Sequence, residues 1–95
     1  MLNDETILQE AQRLVSGARQ DSYGDPVECM TRIGAVLTVV FRDKLRPGTI
    51  ITPADVPLIM SAVKLVRESI TPKRDNRVDL VAYSHIKQLV HETGL

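Results

Sequence analysis

Lys64 and Arg67 stand three residues apart, and Asp79 and Tyr83 four apart, in the second half of the sequence. Two cations one helical turn apart suit an anion. An arginine takes a phosphate through two parallel hydrogen bonds, and a lysine meets it as a point charge. At ~100° per residue, Arg67 falls inside an apolar arc of Val56, Met60, Val63, Val66 and Ile70, with Lys64 on its margin. Asp79 falls between Ile86 and Val90 on a second arc that also holds Val78, Ala82 and Leu89, and Tyr83 lies one turn along the same side. A charge on a core-facing stripe is costly unless it is paired. The spacing therefore supports two readings. Arg67 and Asp79 form a buried bridge that holds two helices in register, with Tyr83 hydrogen-bonded nearby. Alternatively, Arg67 and Lys64 grip an anion in an interhelical pocket, where Asp79 orients them or binds a metal.

Two loops carry further candidates. Arg19, Tyr23, Gly24, Asp25 and Pro26 place a guanidinium, a phenol and exposed backbone N–H groups at a helix N-terminus, which favours anions. The same residues also make an ordinary capped turn. Lys73, Arg74 and Arg77 surround Asp75 in the last loop, either as solvated charges or as a basic extension of the pocket. No catalytic residue stands out. His85 and His91 are six apart and share no helix face, Ser84–His85 adjacency is not a nucleophile–base geometry, and Cys29 is expected to pack rather than react. No glycine-rich phosphate loop is present.

The elements that position these groups read as four helices in one all-α domain spanning 1–95, a compact four-helix bundle expected to oligomerise. The first covers about 4–19, with Ile7, Leu8, Ala11, Leu14, Val15 and Ala18 on one stripe and Asn3 or Asp4 as cap. Asp25–Pro26, with Glu28 at the third position, opens the second, which is expected over 26–45. Thr52–Pro53 with Asp55 repeats that opening for the third, over 53–70, where Pro57 tightens or kinks the first turn. The fourth is expected over 77–93, ended by Gly94. Only 49–52 has strand character. Val36 and Val39, and Leu58 and Leu65, form surplus apolar strips that need cover from another subunit.

Composition narrows the partners. At 95 residues there is room for one small domain. Twelve basic residues balance twelve acidic ones, which argues against a grip on DNA or a membrane surface through global charge. With 3% aromatics and no Trp, a base-stacking platform for single strands is not expected either. A lone cysteine excludes an internal disulfide, and no cysteine–histidine cluster suggests zinc. The acidic N-terminus is unlike a signal peptide, and no apolar run reaches ~18 residues, so a cytoplasmic protein is expected.

Taken together, R-x-x-x-Y-G-D-P (Arg19 to Pro26), I-T-P-A-D-V (Ile51 to Val56), K-x-x-R (Lys64 to Arg67) and D-N-x-x-D-x-x-x-Y (Asp75 to Tyr83) resemble a family of small phage and prophage proteins of unannotated function. More distantly the chain is similar to the all-α, MazG-like nucleoside triphosphate pyrophosphohydrolases. That likeness implies Mg²⁺ held by acids, for which Asp75, Asp79 and Glu28 are the candidates here. The chain departs from the MazG-like pattern, which pairs E-x-x-E with E-x-x-D. Glu28 is followed by Arg32, and Lys64 and Arg67 stand where acids are expected. Basic groups bind phosphate but do not gather Mg²⁺, which takes oxygen ligands. The resemblance thus implies a nucleotide-binding protein that grips phosphates without hydrolysis and needs no cofactor. Its ligand would be a phosphorylated small molecule, such as a cyclic nucleotide or ADP-ribose derivative serving as a host immune signal. The alternatives are the Mg²⁺-dependent pyrophosphohydrolase and a helical module that inhibits a host protein.

Overall fold

The structure is a computed structural model in which residues 4–18, 21–22 and 24–95 are described. Among the described residues four α-helices are defined and no strand occurs. Helix α1, Ile7–Arg13, runs on as a π-helical turn, Leu14–Ala18. Its cap is Thr6 rather than Asn3 or Asp4. Gln9 N–H donates to the Thr6 hydroxyl at 3.1 Å, and Thr6 N–H donates to the Gln9 side chain at 2.8 Å. This reciprocal box satisfies two N–H groups at once, and Asp4 has no comparable partner three residues on. Ala11 and Val15 are buried from the expected stripe, whereas Leu8 is exposed.

Helix α2 spans Pro26–Val40, opened as expected by Asp25, whose carboxylate accepts the Glu28 N–H at 3.0 Å. It stops five residues short of the expected end, because the chain tightens at Phe41 into a 3-10 turn, Arg42–Lys44. Residues 49–52 are not a strand. Ile51 and Thr52 cross over Gly34, where a Cβ would lie 2.7 Å from the Ile51 carbonyl oxygen. The Ile51 N–H donates to the Thr38 hydroxyl at 2.8 Å, which locks the crossing. Only glycine allows the two backbones to approach this closely.

Helix α3 is Asp55–Ile70, and the Thr52–Asp55 pairing that the sequence implies closes the turn just ahead of it. Thr52 N–H donates to the Asp55 carboxylate at 2.9 Å, and Asp55 N–H donates back to the Thr52 hydroxyl at 3.3 Å. Pro53 and Ala54 form the leading turn, so the helix itself starts two residues later than expected. Pro57 is buried in the first helical turn, where a missing N–H removes no intrahelical bond.

Helix α4, Arg74–Glu92, starts three residues earlier than expected. The cause is Glu68, whose carboxylate accepts the Lys73 N–H at 2.8 Å and the Asn76 amide at 3.2 Å. An acid from the end of α3 thus caps α4 in place of a local side chain. Val78, Ala82, Ile86 and Val90 form the expected buried arc of α4, against Val56 from α3, Ala11 and Val15 from α1 and Met30 from α2.

The bundle is less compact than expected. Its radius of gyration is 14.7 Å, against about 12.4 Å for a globule of this length. The principal extents are 54 × 31 × 21 Å. Two apolar helix faces stand uncovered. Ala35, Val36, Val39 and Val40 of α2 are exposed, and so is most of the apolar surface of α3.

Candidate functional site

Helices α3 and α4 form an antiparallel hairpin across the short link 71–73. Arg77 meets Glu68 at 2.8 Å, Asp79 meets Lys64 at 2.7 Å, and the Lys87 ammonium donates to the Ala54 carbonyl at 3.1 Å. This ladder decides which cation Asp79 takes. Lys64 lies directly opposite it, while Arg67 lies near the level of Asn76, whose amide is already bonded to Glu68. The Arg67–Asp79 bridge expected from the sequence is replaced by Lys64–Asp79, and Arg67 is exposed.

The error has one physical source. The arc of Val63, Val66 and Ile70, expected to face inward, is exposed. The strip that faces α4 instead carries Val56, Pro57, Met60, Ser61, Lys64 and Glu68. Lys64 is therefore near the middle of the packed strip rather than on its margin. Each polar member of the strip has a partner. The Ser61 hydroxyl donates to the Pro57 carbonyl at 2.7 Å, Lys64 pairs with Asp79, and Glu68 serves the start of α4.

Lys64 and Asp79 retain only 15% and 8% of their side-chain exposure. Such a pair holds together because each charge compensates the other's lost hydration, and removing one partner costs about 3–5 kcal/mol. The pair is not sealed in the core. It forms the polar part of a cleft of ≈ 430 Å³ whose walls include Val15, Met30, Ile33, Met60 and Ile86, with the buried Tyr83 beside it. Gly24 and the half-buried Cys29 also line it. A second recess of ≈ 420 Å³ adjoins it through Gly24, Cys29 and Ile33 and is edged by Asp25, Glu28 and Arg32.

Of the residues singled out by sequence, the structure brings Gly24, Lys64, Asp79 and Tyr83 to the cleft, and Asp25 to the adjoining recess. Arg19 and Tyr23 lie outside the described residues. Arg74 is turned towards α1, where it donates to the Glu10 carboxylate at 3.0 Å and to the Glu5 carbonyl at 2.7 Å. Arg77 holds Glu68, and Asp75 is exposed. Glu28 is exposed on α2. Among the described residues, no three His, Cys, Asp or Glu side chains come together in a way that could hold a metal.

Sequence reasoning missed Glu68, Glu5 and Glu10, which organise the loop cations. Glu68 shows how strongly: the Lys73 N–H, followed by the Asn76 amide, holds its carboxyl below the ordinary glutamate range, against the opposing effect of desolvation and with help from Arg77. The signal was weak, because an acid that caps the following helix from five residues upstream has no standard spacing.

What the arrangement offers is an apolar slot ending in a donor, an acceptor and a phenol. The chain belongs to the family described as "Domain of unknown function (DUF6378)", whose model matches residues 6–91. No curated protein and no solved structure matches the chain. Among the described residues no helix is long and apolar enough to cross a membrane.

Proposed function

We propose that the chain binds a nucleotide-like, phosphorylated small molecule in the cleft between its helices and holds it without hydrolysis. The observation that carries this reading is the Lys64–Asp79 pair, which opens on a cleft with apolar walls. The ion pair presents a donor and an acceptor side by side, which suits the edge of a heterocycle, and the apolar walls suit its faces. Because Asp79 compensates the charge of Lys64, phosphate falls to a cation beyond the pair. Arg67, one turn further along α3 and exposed, is the candidate. In a phage-type setting, a cytoplasmic homo-oligomer of this kind would sequester a nucleotide immune signal such as a cyclic nucleotide or an ADP-ribose derivative.

The test is a thermal-shift screen against nucleotides, cyclic dinucleotides and ADP-ribose derivatives, with and without Mg²⁺, followed by recovery of the ligand. At 100 times the dissociation constant, binding stabilises the fold by about 2.7 kcal/mol. Each kcal/mol moves the melting point of so small a domain by roughly 4–8 °C. Intact recovered ligand, with a shift that falls in Arg67→Ala, is the expected result. Mg²⁺-dependent release of pyrophosphate would favour a MazG-like hydrolase instead, and no shift with any compound would overturn the ligand reading. A second reading, a helical interaction module, draws on the exposed apolar surface of α3.

A further inference from the structure

Charge is unevenly placed in a chain whose formal total is zero. From Cys29 to Ala54 stand four cations, Arg32, Arg42, Lys44 and Arg46, and one acid, Asp43, which leaves eight basic and eleven acidic residues elsewhere. The fold also treats these cations differently. Arg13, Lys64, Arg74 and Arg77 each meet a carboxylate. Arg32, Arg42, Lys44 and Arg46 are all exposed, and among the described residues no ion pair holds any of them. Exposed apolar side chains lie between them. Val36, Val39 and Val40 are 60%, 64% and 66% exposed near the end of α2, and Phe41 is 43% exposed where the helix stops.

At ~100° per residue, Arg32, Ala35, Val36, Val39 and Val40 fall within ~140° of one another on α2. The stripe thus begins at one cation and runs into three more on segment 42–46, ~15 Å further along by helix rise. Its complement has an apolar centre and acids at both ends. A peptide segment laid along α2 supplies both, because its apolar side chains cover the valines while its carboxylates meet the cations. The charges also steer the approach and fix the register. Other anionic surfaces match only part of the stripe. A phosphate backbone leaves the valines facing nothing. A bilayer is gripped by tryptophan, phenylalanine or leucine side chains, where this stripe offers an alanine, three valines and a partly covered Phe41.

We propose that the end of α2 and segment 42–46 form a docking site for an acidic, apolar-centred peptide segment of a partner protein. This goes beyond the ligand reading and does not depend on it. The α2 residues that line the Lys64–Asp79 cleft are Pro26, Cys29, Met30 and Ile33, none of them in the stripe. Arg32 is shared with the second recess, so the test turns on Arg42, Lys44 and Arg46. Asp43 is the one charge there that opposes an acidic partner, and its removal should strengthen docking. All of these side chains are exposed, so substituting them leaves the core intact.

The experiment is selection from a random displayed-peptide library on the immobilised full chain. Affinities of the enriched peptides are then measured by fluorescence polarisation, with circular dichroism to confirm that each variant is folded. The wild type should enrich peptides with apolar centres and flanking aspartates or glutamates, and their binding should weaken as ionic strength rises towards 1 M, where charges are screened within about 3 Å. The combined variant Arg42→Glu, Lys44→Glu and Arg46→Glu should weaken them by at least about tenfold, the equivalent of 1.4 kcal/mol. Val39→Asp should do the same, and Asp43→Asn should tighten them by about two- to fivefold. Vesicles of phosphatidylserine with phosphatidylcholine and a duplex DNA are run beside the peptides. No enrichment, or acidic peptides bound equally by the charge-reversed variant, would overturn the proposal. Enrichment that survives Val39→Asp would remove the apolar stripe from the site and overturn it as well. Binding to vesicles or duplex, lost on charge reversal and without enriched peptides, would overturn the peptide occupant and assign these cations to lipid or phosphate.

Discussion

Helices α3 and α4 lie side by side, and one buries an apolar arc while the other buries a mixed strip. In α4 the apolar arc is the packed one: Val78, Ala82, Ile86 and Val90 are buried, and the single charge among them, Asp79, has a partner. In α3 the packed strip contains Ser61, Lys64 and Glu68, while Leu58, Leu65, Val66 and Ile70 face out. A helix alone gives no instruction about which face turns inward. Where one apolar face exists, burial decides. Where a helix has an apolar face and a polar strip whose every member finds a partner on the neighbour, both faces are usable and each takes a different surface. The two helices thus separate a buried core from an exposed apolar face.

Three changes break or sharpen this contrast, the largest first. Asp79→Ala leaves the Lys64 ammonium buried without its carboxylate and should cost about 3–5 kcal/mol. It is read as a lower denaturation midpoint with an unchanged slope, and adding Lys64→Met should recover part of the loss. If Asp79→Ala is neutral, the inward polar strip of α3 is not what joins the two helices.

Isoleucine truncation compares the two faces directly. Ile86→Ala opens a cavity on the buried arc of α4 and should cost about 2–5 kcal/mol. Ile70→Ala, at a position 76% exposed, should stay within about 0.5 kcal/mol under the same urea titration. Equal costs would mean that the outward face of α3 is buried in solution to the same depth as the core.

Glu68→Gln has the smallest effect and separates the faces by pH. The folded carboxyl sits below its ordinary value, held there first by the Lys73 N–H. Its contribution is therefore complete above the ordinary glutamate value and is lost as pH falls through the lower folded value. Glu68→Gln should lower stability near neutrality, where that contribution is complete, and converge with the wild type at the acid end, which flattens the acid side of the stability–pH curve. An unchanged acid limb would remove Glu68 from the cap of α4.

The contrast also explains how far the sequence was legible. Each helix could be located from its periodicity, and the entries to α2 and α3 are written in local chemistry. Thr52 with Asp55 and Asp25 with Glu28 are caps built within four residues, and they form as the spacing implies. Where a boundary depended on a distant group it was misplaced, as at Lys73, whose N–H is taken by Glu68. The site was legible in kind but not in pairing. Asp79 was recognisable as a charge that needs a partner, and Lys64 as a nearby cation. The choice of Lys64 over Arg67 required the register of the α3–α4 hairpin.

The sequence by itself determined an all-helical chain with four helices, a buried apolar arc on α4 and second apolar strips on α2 and α3. These follow from periodicity and from interactions spanning at most one turn. Only the tertiary structure decided that α3 turns its polar strip inward, that Arg74 and Arg77 serve Glu10 and Glu68, and that a cleft stands open beside Lys64 and Asp79. Those outcomes depend on which side chain meets which across two helices. Rotating α3 by a third of a turn changes every such pairing while leaving its local sequence preferences untouched.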